Sequence, residues 1–224
     1  DPVLEEPIVF NYLRRVRDWM IATPLVQYSY YSIKWMDRGA FEDELKDFVV
    51  PFFSFLKLPA ETRELIILQV ENEVGLLGTG RDRSPEALAA WNAPVPAELL
   101  IAAADSPSDF HPDLVELFSA PGGTDSWAAR FGDDNPVADE AFMAWAFGSY
   151  VGTLAAAGKA IKALPAYANA WLGPQPGQSL PGQYPSGGPT ARMGGVWRAA
   201  APAIDFLAPD IYIPGARAVM EEYA

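Results

Sequence analysis

The spacing of apolar and polar positions predicts a chain in which helices alternate with short buried strands. Over 41–56, apolar residues recur at helical spacing with charged residues between them, which predicts a helix packed by one face. The run LIILQV at 65–70 is short and continuously apolar, as is typical of a strand in a parallel sheet that is covered on both faces. The segments PAYANAWL (165–172) and IDFLAPDIY (204–212) are two further candidate strands.

Capping residues place the helices between these strands. Ser84 followed by Pro85 predicts one helix start, and Asn135 followed by Pro136 predicts the start of the longest helix. Further helices are predicted over 95–104, 112–119, 196–203 and from 215 onward. The Gly- and Pro-rich stretch 173–195 predicts a long ordered loop of the kind that often carries function. The resulting order β-α-β-α-β-α predicts a parallel sheet, in either a barrel or a doubly wound arrangement.

Composition narrows the classes of protein and of partner. Half of the 224 residues are hydrophobic and 12% are aromatic, which predicts a globular protein. A net charge of −13 without a basic cluster argues against nucleic acid as a partner, and no apolar run is long enough to span a membrane. The absence of cysteine excludes disulfides and thiolate zinc sites but leaves the compartment open. The chain begins at Asp1 without a leader pattern, and we expect it to be a fragment. Its oligomeric state is not determined by sequence.

Polar and aromatic side chains follow each predicted strand. Because the carboxyl ends of parallel strands meet at one edge, we expect these residues to converge on one rim. A carboxylic acid between a second carboxylate and apolar walls can hold its proton near neutral pH and deliver it to a leaving oxygen, which suggests chemistry on a sugar. The lone His111 offers no metal ligand set, and no cofactor motif is present, so we expect neither metal nor cofactor. The candidate site residues are Asn72, Glu73, Asn169, Trp171, Asp210 and Tyr212.

Several blocks resemble a known enzyme family. QVENEVG at 69–75 looks like the strand-four signature of the (β/α)8 glycoside hydrolases whose acid/base is an Asn-Glu pair. Together with EAFMAWAFGSYV, AGKAIKALPAYANAWLG, PGQYPSGGP and VWRAAAPAIDFLAPDIY, it resembles the bacterial β-galactosidase-like branch of glycoside hydrolase family 35. The resemblance covers about residues 63–224. It implies one partial (β/α)8 TIM-barrel catalytic domain over 1–224, with strands four to six recognisable and 1–40 unassigned.

The resemblance also implies roles for the site residues. Glu73 takes the general acid/base role of a retaining enzyme that cleaves terminal β-galactosides, and Asn72 contacts the sugar hydroxyl next to the reacting carbon. Tyr212 orients the second carboxylate, and position alone makes Asn169, Trp171 and Asp210 substrate contacts. The nucleophile is expected beyond Ala224, since the family carries it at strand seven, so the 224-residue chain alone is expected to turn over little or no substrate. Two alternatives stay open: a carbohydrate-binding fragment without catalysis, and a relative that prefers another glycoside.

Structural explanations exist for the same residues. Glu73 could form a surface ion pair with Arg81 or Arg83, and the RDR cluster at 81–83 could brace a loop. His111 precedes a proline at a helix start, where a structural role is expected. Six tryptophans are expected to fill the core or an interface, namely Trp19, Trp35, Trp91, Trp127, Trp145 and Trp197.

Overall fold

In the part of the chain that the structure describes, three short strands form one parallel sheet, and the second strand in sequence lies in the middle of that sheet. The computed structural model describes residues 68–122, 125–161 and 163–223. Strand β2 pairs in parallel with β1 on one side and with β3 on the other, so the predicted parallel sheet is confirmed. The strands are β1 (Leu68–Asn72), β2 (Ala166–Ala170) and β3 (Phe206–Pro209).

The predicted (β/α)8 barrel, complete or partial, is wrong for the chain as described. The sheet is open, with β1 and β3 as its two edges among the described residues. A barrel requires strands that tilt and stagger until the last pairs with the first, and three strands cannot close in this way. Strand β1 is partly exposed along its length and is not covered on both faces as was predicted. The local pattern did predict all three strands and the helices between them. It carries no information on how many strands pair or whether they close.

Helices connect the strands and follow the predicted starts. The side-chain oxygen of Ser84 accepts the backbone N–H of Ala87 at 3.3 Å, as expected for a cap. The side-chain oxygen of Asn135 accepts the N–H groups of Val137 and Ala138, both at 3.2 Å. The helices are α1 (Pro85–Trp91), α2 (Ala97–Asp105), α3 (Pro112–Ser119), α4 (Trp127–Phe131), α5 (Pro136–Ile161), α6 (Gly194–Ala200) and α7 (Ala216–Tyr223), with 3-10 turns at Pro107–Asp109 and Ala191–Met193. The helix predicted over 41–56 and the unassigned 1–40 lie outside the described residues.

Aromatic rings and close helix packing build the core. Trp91 and Trp127 stack with ring centroids 5.9 Å apart, and Phe142 of α5 meets both rings edge-on at 5.2 and 5.5 Å. Helix α5 also packs on α6, where a Cβ placed on Gly152 would lie 2.7 Å from the Cα of Ala201. The core role predicted for the tryptophans is confirmed for Trp91, Trp127 and Trp197, which are buried. Trp19 and Trp35 lie outside the described residues.

Among the described helices, none is sufficiently long and apolar to cross a membrane, in agreement with the sequence.

Candidate functional site

The carboxyl ends of the three strands bring the predicted site residues to one edge of the sheet. Glu73 follows β1 directly, and its backbone N–H donates to the carbonyl of Asn169 in β2 at 3.2 Å. Asp210 follows β3 directly, and its backbone N–H donates to the carbonyl of Ala170 at 3.0 Å. In open parallel sheets this is the edge at which ligands bind.

The backbone is strained where β1 ends. Glu71 has φ 66° and Glu73 has φ 48°. Both angles lie in the left-handed region of backbone conformation, which residues other than glycine rarely adopt. Each such residue costs on the order of 1 kcal/mol or more and persists only where its surroundings fix it. The β1–β2 register also shifts between Gln69 and Asn72. The regular pleat is therefore lost at the candidate acid, which the sequence did not indicate because neither residue is glycine.

Asp210 is the centre of the hydrogen bonds at this edge. Its Oδ1 accepts from the amide nitrogen of Asn169 at 3.0 Å, and its Oδ2 accepts from the Tyr212 hydroxyl at 3.4 Å. Asn169 is only 6% exposed, and its Oδ1 has no hydrogen-bond partner in the described part of the chain. A buried acceptor without a donor costs free energy, so this oxygen is suited to accept from a ligand hydroxyl.

Electrostatics couple three of the site residues. Burial raises the pKa of the Glu73 carboxyl, and the negative charge of Asp210 raises it further. The same Asp210 charge is the main cause that raises the pKa of the Tyr212 phenol, to which Glu73 also contributes. Two neighbouring carboxylates disfavour simultaneous ionisation, so Glu73 holds its proton to higher pH than an ordinary glutamate.

The remaining two predicted residues lie beside this cluster. Asn72 is exposed, pairs with Asn169 across the β1–β2 ladder, and accepts from the Gln69 amide at 3.0 Å. The carbonyl of Trp171 accepts from the Tyr223 hydroxyl at 3.4 Å, and its buried indole N–H has no acceptor among the described residues. The structure thus groups Glu73, Asn169, Asp210 and Tyr212 and leaves Asn72 and Trp171 at the margin.

Glu73 does not form the surface ion pair with Arg81 or Arg83 that was considered from the sequence. The RDR cluster at 81–83 does brace a loop, as was predicted. Arg81 is fully buried, bonds Asp139 at 2.8 Å and Asp133 at 3.1 Å, and lies over the Trp91 ring at 3.8 Å. Arg83 lies 3.8 Å from the same Asp139. Both arginines therefore brace the loop and helix α5, and neither pairs with Glu73.

His111 also has the structural role that was predicted. Its Nδ1 accepts the backbone N–H of Asp113 at 3.3 Å, at the start of α3. Among the described residues, no group of three or more His, Asp or Glu could hold a metal ion.

Two further carboxylates accept hydrogen bonds from tyrosine hydroxyls, and the role of Glu140 was missed from the sequence. Glu71 accepts from the Tyr150 hydroxyl at 2.7 Å, and Glu140 accepts from the Tyr184 hydroxyl at 2.9 Å. Glu140 is fully buried, and this burial raises its pKa to about 7. The available signal was its place in a largely apolar stretch of the longest helix, on a face where polar residues are unusual.

A groove of about 960 Å³ is lined by a different set of residues. Residues from the α2–α3 connection, α6, the start of β3 and α7 line it, and the lining includes His111, Arg192, Arg198 and Tyr223. None of the six candidate site residues belongs to its lining. The convergence of strand ends, and not cavity size, therefore defines the candidate site.

No protein-family model matches this chain, and no curated protein matches it significantly. The resemblance to glycoside hydrolase family 35 therefore stays a prediction.

Proposed function

We propose that this protein is a retaining glycoside hydrolase of β-galactosidase type in which Glu73 is the general acid/base. One observation carries the proposal: Glu73 lies at the carboxyl end of a parallel strand, beside Asp210, with its pKa raised by burial and by that neighbouring charge. A general acid must hold its proton at working pH and release it to the leaving oxygen. Burial and the Asp210 charge shift the pKa of Glu73 in the direction that the first requirement needs.

The proposed reaction is a double displacement. In the first step Glu73 protonates the glycosidic oxygen while a second carboxylate attacks the anomeric carbon and forms a glycosyl-enzyme. In the second step the ionised Glu73 takes a proton from water, and the water oxygen displaces the carboxylate. Such an attacking carboxylate lies about 5 to 5.5 Å from the acid/base. We expect this group to lie outside the described residues.

Asp210 is better suited to a supporting role than to attack. Both of its oxygens accept hydrogen bonds, from Asn169 and from Tyr212, and these bonds reduce the nucleophilicity of a carboxylate. Burial is the main cause that raises the pKa of Glu73, and the Asp210 charge raises it further. In this proposal the free Oδ1 of Asn169 accepts from a sugar hydroxyl, the exposed Tyr212 ring offers stacking, and Asn72 and Trp171 contact the substrate from the margin.

The test is hydrolysis of chromogenic β-galactosides by the complete protein, which in this proposal includes residues beyond Ala224, and by its Glu73→Gln variant. We expect kcat/KM of the variant to fall on the order of 100-fold or more for a poor leaving group, the usual loss on removal of a general acid. The loss is smaller for dinitrophenyl galactoside, whose leaving group needs little protonation. Added azide, which needs no general base, restores turnover in the variant as the β-galactosyl azide. Glu116→Gln, a change of an exposed glutamate on α3, is the matched control and keeps full activity.

Equal rates for wild type and Glu73→Gln would remove Glu73 from the mechanism. Binding of galactosides without turnover by the complete protein would favour the carbohydrate-binding alternative. Turnover of β-glucosides or arabinosides in preference to galactosides would favour a different glycoside specificity.

A further inference from the structure

The turn that carries Glu73 packs against the segment 182–188 of the Gly- and Pro-rich loop and is hydrogen-bonded to it. Leu76 and Ser186 exchange two backbone hydrogen bonds, each 2.9 Å long. The Ser186 hydroxyl also donates to the carbonyl of Gly80 at 2.6 Å. A Cβ placed on Gly75 would lie 2.4 Å from the Pro185 Cβ, so the two segments are in direct contact. Any movement of this loop segment therefore moves the backbone that follows Glu73.

The loop segment is in turn held on helix α5. The Tyr184 hydroxyl donates to Glu140 at 2.9 Å, and both residues are fully buried. A Cβ placed on Gly187, which has φ +76°, would lie 2.4 Å from the Cβ of Met143 in α5. The Trp197 indole N–H donates to the Gly187 carbonyl at 3.1 Å from the other side. The hydrogen bond between the side chains of Tyr184 and Glu140 therefore connects this segment directly to α5.

The burial of the Glu140 carboxylate, which accepts this hydrogen bond, costs free energy. The Oε2 of Glu140 has no hydrogen-bond partner in the described part of the chain, and the nearest cation is the Nη1 of Arg192 at 3.7 Å. Arg192 itself is engaged by Asp113 at 2.7 Å. Since a well-packed apolar residue often replaces a buried charge without loss of stability, stability alone does not explain Glu140.

We propose that Glu140 and Tyr184 are a positioning pair, which holds the loop segment 182–188 so that the strained Glu73 keeps its place beside Asp210. This inference rests on the glycosidase proposal above, because it concerns the same carboxyl group. Left-handed φ angles at Glu71 and Glu73 persist only where the surroundings fix them, and the loop segment provides such a constraint. Neither Glu140 nor Tyr184 touches the substrate in this proposal.

The test separates positioning from stability with two variants. Tyr184→Phe removes the donor and leaves the Glu140 carboxylate buried without a hydrogen bond, so we expect a lower unfolding midpoint. The double variant Glu140→Leu/Tyr184→Phe replaces both polar partners by apolar groups, so its midpoint returns to the wild-type value or above it. Both variants lack the side-chain hydrogen bond between α5 and the loop segment.

Two readouts on the 224-residue chain need no turnover. Amide exchange at Leu76 and Ser186 is expected to become about tenfold faster in the double variant, which corresponds to a tenfold change in local opening. The pKa of Glu73, followed by carbon NMR of its carboxyl group and assigned with Glu73→Gln, is expected to fall toward that of an ordinary glutamate. In kinetic assays the basic limb of the pH profile of kcat/KM shifts to lower pH by the same amount.

Tyr167→Phe is the matched control, because it removes a tyrosine hydroxyl bonded at 2.7 Å to Gln69, away from the loop segment. It should alter neither readout. An unchanged Glu73 pKa and unchanged exchange in the double variant would overturn the positioning role and leave the glycosidase proposal intact. Absence of glycosidase turnover by the complete protein, with both readouts shifted, would instead overturn the glycosidase proposal alone.

Discussion

Replacement of Arg81 by methionine should destabilise the protein strongly, because it leaves the buried carboxylate of Asp139 without its ion-pair partner. Arg81 is fully buried and bonds Asp139, whose side chain is 11% exposed, and Asp133, whose side chain is 70% exposed. Methionine keeps an apolar side chain at this position but removes the guanidinium, whose central carbon lies 3.8 Å from the centroid of the Trp91 ring. Among the described residues, the cation that then remains beside Asp139 is Arg83, at 3.8 Å.

The structure sets the size of this effect. Removal of one partner from a buried ion pair costs about 3 to 5 kcal/mol, because the other charge stays buried. The bond to Asp133 adds little, since exposed pairs contribute about 0 to 1 kcal/mol. The Nη1 of Arg81 has no hydrogen-bond partner among the described residues, which lowers the stabilisation that is lost. We therefore expect the lower end of the range, about 3 kcal/mol.

The assay is urea unfolding followed by tryptophan fluorescence at pH 7. Arg83→Met is the matched control, since its side chain is 52% exposed, and it should cost less than about 1 kcal/mol. Adding Asp139→Asn to Arg81→Met removes the stranded charge and should recover part of the loss. A cost below about 1 kcal/mol for Arg81→Met, or no recovery in the double variant, would refute the stranded-charge explanation.

Two further predictions concern helix packing and pH. Gly152→Ala places a Cβ 2.7 Å from the Ala201 Cα, so overpacking of about 1 to 3 kcal/mol outweighs the helix propensity gained, and thermal unfolding should show a net loss. Thr153→Ala on the exposed side of the same turn should change stability by less than about 0.5 kcal/mol. The pKa of Asp205 is lowered by hydrogen bonds from Lys159 and from the Ala166 N–H. The stability it contributes is therefore present above its unfolded pKa and lost as pH falls through the folded value. Asp205→Asn should destabilise the protein at pH 7 and not at about pH 2; an equal loss at both pH values would contradict this linkage.

Local features of the fold were predictable because they depend on neighbours in sequence. Ser84 and Asn135 cap helices through atoms two or three residues away, so their type and position suffice. Strands β2 and β3 could be predicted from their own apolar composition and from the helix between them. The placement of Glu73 and Asp210 at one edge followed from the parallel order of the strands.

The sequence by itself thus determined the helix starts, the three parallel strands and the convergence of polar residues at their carboxyl ends, since each depends on short-range pattern. Only the tertiary structure decided that the described sheet is open, because closure depends on how many strands pair and how they tilt. It alone showed the left-handed backbone at Glu73 and the buried bond between Glu140 and Tyr184, 44 residues apart. These features arise from contacts between distant segments, which no local spacing of residues encodes.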